Sequence, residues 1–211
     1  MSGLLQDLAL LGTAVATAGG LVAALVALAA GRNALARRAA LGVAALVALY
    51  GAVLLGCSLA SRERTLAPGE EKSVAGFDPH LHFRVAGPLQ RAPDGALVVT
   101  VRLRSDALRA VQDPRCLTAA LVDARGRRWA PVGSDAAAPG VRGLLTPFGR
   151  RLAPGESCAA TLGFRPDPEA AGLRLLVAES AFPCLVTIGH EASPLHRKTY
   201  FALPAPPHSP E

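Results

Sequence analysis

Two long apolar runs open the chain, and alternating patterns fill most of the remainder. Leu8 to Gly31 is a stretch of 24 uncharged residues between Asp7 and Arg32, and Ala39 to Ser61 is one of 23 between Arg38 and Arg62. About 20 apolar residues cross the hydrocarbon core of a bilayer, so the runs predict two transmembrane helices, about 8–31 and 39–60. Residues 32–38 between them hold Arg32, Arg37 and Arg38 and no acid, whereas no Lys or Arg precedes the first run. Short cytoplasmic loops collect basic residues. The expected orientation therefore keeps this linker in the cytoplasm and places the N-terminus and the large C-terminal part outside. Each run also carries a row of small residues at every fourth position. These rows, Gly12, Ala16, Gly20, Ala24 and Ala44, Ala48, Ala52, Gly56, are the expected packing faces of a helical hairpin.

After Thr65 the period becomes two. Leu81, Phe83 and Val85 alternate with His82 and Arg84, and Leu97, Val99, Val101 and Leu103 with Val98, Thr100, Arg102 and Arg104. Leu117, Ala119 and Leu121 follow, then Cys158, Ala160, Leu162 and Phe164, then Leu173, Leu175 and Val177, and last Thr199, Phe201 and Leu203. Alternation of this kind marks strands with one buried face. Pro93-Asp94-Gly95, Asp123-Ala124-Arg125-Gly126 and Pro154-Gly155-Glu156 supply the turns. Six to eight short strands over about 140 residues predict an antiparallel β-sandwich. The expected domains are a transmembrane hairpin over 1–61, a linker over 62–76, a sandwich over 77–203 and a tail over 204–211, with a loop from Ser134 to Gly143.

Composition narrows the class. With 51% hydrophobic and 18% charged residues and a mean hydropathy of +0.32, the chain is too apolar for disorder. The net charge of +6 is spread over both halves, and aromatics make up 4%. Nucleic-acid binding needs a focused basic face with stacking rings. The one basic-aromatic cluster, Arg127, Arg128 and Trp129, reads as a hairpin whose Trp packs onto the core.

Three stretches carry a family likeness: Asp78-Pro79-His80-Leu81-His82-Phe83, then Arg151 to Glu156 leading into Phe164-Arg165-Pro166, and the closing Ile188 to Phe201. With the helix pair before them, they resemble a group of uncharacterised bacterial membrane proteins that join two N-terminal transmembrane helices to an immunoglobulin-like extracytoplasmic β-sandwich. The resemblance covers most of the chain and is most specific in the closing segment. It implies a membrane-anchored all-β architecture, an N-terminal hairpin followed by an antiparallel immunoglobulin-like sandwich, and no activity. Leu54-Leu55-Gly56-Cys57-Ser58 separately resembles a lipoprotein box, which makes a lipid anchor at Cys57 the alternative localisation.

Candidate chemistry is thin. His80 and His82 alternate along a strand, and His190, Glu191 and His196 lie in the closing segment. Together they could suit zinc or copper, a metal-handling alternative. Otherwise His82 is expected in solvent, and His80 and His196 on backbone hydrogen bonds. One disulfide among Cys116, Cys158 and Cys184 would fit an oxidising compartment. No Gly-x-Ser-x-Gly elbow, His-Glu-x-x-His helix or phosphate-binding loop occurs. Glu156 and Glu191 have no second reason to form an acid–base pair. The expected protein is therefore a non-enzymatic binding or scaffolding module of a bacterial cytoplasmic membrane, without cofactor, bound to an unknown envelope protein. Ser193, His196, Lys198 and Thr199, with the 134–143 loop, are the contact candidates.

Overall fold

The structure is a computed structural model and describes residues 2–74, 81–114, 117–132, 151–179 and 182–204. The chain divides into two compact units: Met1–Arg62 with Phe182–Arg197, and Glu63–Ala181 with Lys198–Glu211. The first unit thus joins residues 182–197 to the helices, and the second begins at Glu63.

The first unit holds helices α1 (Ser2–Ala29) and α2 (Asn33–Ala60), 28 residues each. Both exceed their apolar runs. Arginine is a good helix former, so Arg37 and Arg38 extend α2 toward the linker and do not interrupt it. The connection shrinks to three residues around Gly31, whose φ of 72° closes α1. Arg32 N donates to Ala27 O at 2.8 Å and Gly31 N to Leu28 O at 3.0 Å, the two bonds of a glycine-terminated helix end.

The seam between these helices is not the one the small residues suggest. The shielded positions include Leu10, Thr13, Thr17, Gly20, Ala24 and Ala27 on α1, and Ala39, Val43, Leu46, Tyr50, Leu54 and Ser58 on α2. Gly12, Ala16 and the whole Ala44 to Gly56 row are exposed. Four helical residues turn about 400°, so a strict every-fourth row drifts slowly off the contact line, whereas a row that mixes steps of three and four stays on it. Gly20 is the small residue the seam requires, because an added Cβ would overlap Cγ2 of Val43. Gly20→Leu should therefore weaken the hairpin by about 1–3 kcal/mol, and Val43→Ala should restore part of the loss. Unfolding of the full chain by SDS titration would check this; equal midpoints for wild type and Gly20→Leu would dismiss the seam.

The second unit is built of two sheets. Its strands are β1 (Arg64–Leu66), β2 (Lys72–Val74), β3 (Leu81–Val85), β4 (Gln90–Arg91), β5 (Leu97–Ser105), β6 (Leu117–Val122), β7 (Arg128–Trp129), β8 (Ser157–Phe164), β9 (Arg174–Glu179) and β10 (Thr199–Ala202). One sheet runs β1-β10-β9-β6-β7; the other centres on β5, flanked by β3 and β4 on one side and β8 on the other. The expected all-antiparallel arrangement needs one correction: β1 runs parallel to β10, Thr65 opposite Tyr200, so the first sheet is mixed. A parallel partner far along the chain leaves no mark on local periodicity.

The alternating residues occupy the expected buried faces. Phe83, Val99, Val101, Leu103, Leu117, Leu121, Leu162, Phe164, Leu175, Val177 and Phe201 form one core shared by both sheets, with Trp129 packed against it. The rings of Phe83 and Phe201, from different sheets, lie 5.9 Å apart in a tilted pair, a favoured aromatic geometry. The three expected turns close as read. Gly126 N donates to Asp123 O, Gly95 N to Ala92 O and Glu156 N to Ala153 O. Gly95, Gly126 and Gly155 supply the positive φ values these turns demand.

Candidate functional site

Residues 182–197 start with the short helix α3 (Phe182–Leu185) and continue as a chain of turns. His190 N donates to Thr187 O, Ser193 N to His190 O, and His196 N to Ser193 O. The hydroxyl of Ser193 donates to Thr187 O at 2.5 Å, and His190 Nδ1 accepts from Ala192 N at 3.0 Å. The segment is seated on the helices at three points. Tyr50 Oη donates to Val186 O at 2.7 Å, and Arg197 N donates to Ser61 Oγ at 2.8 Å. Gly189 lies so close to Gln6 that an added Cβ would come within 2.9 Å of its Nε2. Sequence reasoning singled this stretch out by resemblance and by its histidines; its lack of any period concealed that it packs on the hairpin.

The contact candidates separate accordingly. Ser193 is 1% exposed and holds its own segment together, so it is not a surface contact. His196 is partly exposed, and its Nδ1 lies 2.7 Å from Arg197 O. Lys198 O accepts from Arg64 N and Thr199 pairs with Arg64, which places both where β1 meets β10. The 134–143 loop and His80 lie outside the described residues.

His82 is not simply in solvent. It is half-buried, with Nε2 2.7 Å from Asp106 Oδ2 and Nδ1 3.9 Å from Glu71 Oε2. Arg104 adds a contact to the same Glu71 at 3.7 Å. Asp106 lies just past the end of β5, and Glu71 just before β2, so the charges bridge neighbouring strands across β3. The two carboxylates meet opposite nitrogens of the ring and so do not converge on one ion with it. Glu156 Oε2 accepts from Ala153 N in its turn, a structural role. Cys57 is exposed on α2, and Cys158 and Cys184 are half-buried. Cys116 lies outside the described residues, and with it any disulfide it makes.

The Asp123 turn concentrates charge in the sheet unit. Asp123 is 1% exposed; Oδ1 accepts from Arg125 N and Arg127 N, and Oδ2 from Arg127 Nε at 2.7 Å. Arg127 also reaches Asp167 at 3.1 Å and lies over the Trp129 ring at 5.3 Å. Burial pushes the Asp123 carboxyl up, but the Arg127 hydrogen bonds and charge outweigh it and hold the group below its ordinary 3.8. A depressed folded-state pKa adds stability that is complete above the unfolded value and is lost as pH falls through the folded one. The stability gap between wild type and Asp123→Asn, open at pH 6, should therefore narrow below about pH 3.8. Urea midpoints from pH 6 to 2.5 would measure it, and a constant gap would refute the assignment.

No protein-family model and no curated protein matches the chain. Among solved structures it is similar to MPT63, a secreted protein from Mycobacterium tuberculosis. The two are 15% identical with a TM-score of 0.43, the match covering 68% of this chain and 99% of that one. A likeness this distant carries no functional argument. The chain itself joins two apolar helices, each long enough to cross a membrane, to a unit of two sheets.

Proposed function

We propose that the chain is a membrane-anchored, non-enzymatic binding or scaffolding module of a bacterial cell envelope. Helices α1 and α2 cross the cytoplasmic membrane, and the sheet unit stands on the extracytoplasmic side as an immunoglobulin-like sandwich. The observation that carries this reading is the outer surface of the hairpin. Leu5, Val15, Val22, Leu25, Val26, Leu41, Leu49 and Leu59 are all exposed there, and none of the most apolar stretch of either helix is buried. Soluble proteins rarely leave an apolar surface of that extent to water, whereas lipid solvates it. The family resemblance supports the same architecture, and end loops and strand edges are where sandwich domains commonly bind.

The test uses the tagged full chain in native membranes. An alkaline carbonate wash should leave it in the pellet, and cross-linking should capture the same envelope protein in repeated preparations. Release by carbonate would remove the anchor; cross-linking no richer than that of an unrelated two-helix protein would remove the binding role. Intact mass separates the lipoprotein alternative, which predicts a mature chain starting at a lipidated Cys57.

A further inference from the structure

We propose that residues 182–197 form a membrane-interface element, seated on the hairpin at the α2 C-terminal end with Leu185 and Leu195 turned into lipid. This rests on the hairpin crossing the membrane, and it assigns to a segment of irregular backbone the partner normally reserved for the helices.

The first argument is depth. The 28 residues of α2 span about 42 Å at roughly 1.5 Å per residue. The hydrocarbon core takes up about 30 Å, leaving about 12 Å of helix outside it. Tyr50 stands ten residues before Ala60, the last residue of α2, or about 15 Å from that end. Even if all the excess helix emerged there, the Tyr50 backbone would lie about 3 Å inside the core; shared equally between the ends, about 9 Å. Val186 O is hydrogen-bonded to the Tyr50 hydroxyl at 2.7 Å. The segment thus reaches the boundary between acyl chains and headgroups, the depth at which interfacial elements bury their apolar faces.

The second argument is polarity, and it is independent of depth. Irregular backbone is tolerated at that level only when its polar groups are satisfied within the protein. Here the successive turns, the Tyr50 hydroxyl and Ser61 Oγ provide partners. The polar Thr187 and Ser193 are 4% and 1% exposed, whereas Leu185 and Leu195 are 40% and 65% exposed. A loop made for water would turn those two pairs the other way. Leu195 also has a φ of 63°, a left-handed conformation that leucine adopts at a cost. Tyrosine is itself favoured near membrane interfaces, with its ring in the apolar layer and its hydroxyl toward the polar one.

The experiment uses full-length protein in phosphatidylcholine–phosphatidylglycerol vesicles containing lipids brominated near the headgroup end of the acyl chain. Wild type, with Trp129 as its one tryptophan, gives the background emission. Leu195→Trp and Leu185→Trp are compared with it, and Leu49→Trp, on the exposed face of α2, reports on the hairpin. The emission added at 195 and 185 should be blue-shifted and lose most of its intensity in brominated vesicles. If Leu49→Trp is quenched but both segment tryptophans emit as in water, the segment is not at the interface and the proposal fails alone. If Leu49→Trp is also unquenched, the hairpin does not span and both readings fall.

Discussion

Replacing Leu162 with Asp should leave the sheet unit unfolded. Leu162 lies on β8 opposite Val99 of β5 and is 2% exposed in the shared core. A carboxylate placed there has no partner, and burying it costs several kcal/mol against a total stability of about 5–15 kcal/mol. Leu108→Asp is the matched control, since Leu108 projects into solvent and the same charge there should change stability by less than about 0.5 kcal/mol. Limited proteolysis of the full chain in detergent reads the outcome. Wild type and Leu108→Asp should resist cleavage within β3, β5, β6, β8 and β9, whereas Leu162→Asp should be cut there. Equal resistance of all three would overturn the pairing of β8 with β5.

A phosphatase fused after Leu203 should be active, and a fluorescent protein fused at the same point dark. The expectation follows from Arg32, Arg37 and Arg38, which lie in the turn between the helices and the first turns of α2 with no acid among them. Basic residues close to helix ends are retained in the cytoplasm, which directs the opposite ends of both helices outward. Changing the three arginines to glutamate should lower phosphatase activity and raise fluorescence. A bright, phosphatase-negative wild-type fusion would invert the topology and move the sheet unit into the cytoplasm.

Much of the sheet unit was legible because its longer strands obey a two-residue period. β5 exposes Arg102 and Arg104 while burying Val99, Val101 and Leu103, and no other element explains such a pattern. The shortest strands escaped for the converse reason. β1 has three residues and buries only Leu66, and β4 has two, both exposed, so neither contains a period to read; β7 was legible only through the Asp123 turn and Trp129. Helix existence was evident from apolar length, but the ends were not, because arginine continues a helix as readily as it flanks one. The seam was misread because Ala and Gly are so frequent that small-residue rows occur by composition alone. His82 was misplaced for want of register: its partner Asp106 is identifiable only once Leu81 is known to face Ser105. The seating of 182–197 depends on Tyr50 and Ser61, more than a hundred residues earlier, and no local pattern anticipates it.

The parallel pair at the edge of the mixed sheet also sets a schedule for biogenesis. Arg64 leaves the ribosome directly behind the second helix, yet its partner Thr199 is translated 135 residues later. At about 5–20 residues per second that is a wait of roughly 7–27 s. During it β1 has no strand to join, and β9 lacks the neighbour that β10 will provide. The helices can form early, while the sheet that holds β1 can close only when β10 arrives. A nascent chain released before Ala202 would, on the proposed membrane-anchored reading, be anchored but incomplete, with an open sheet edge offered to chaperone, protease or a second copy of itself.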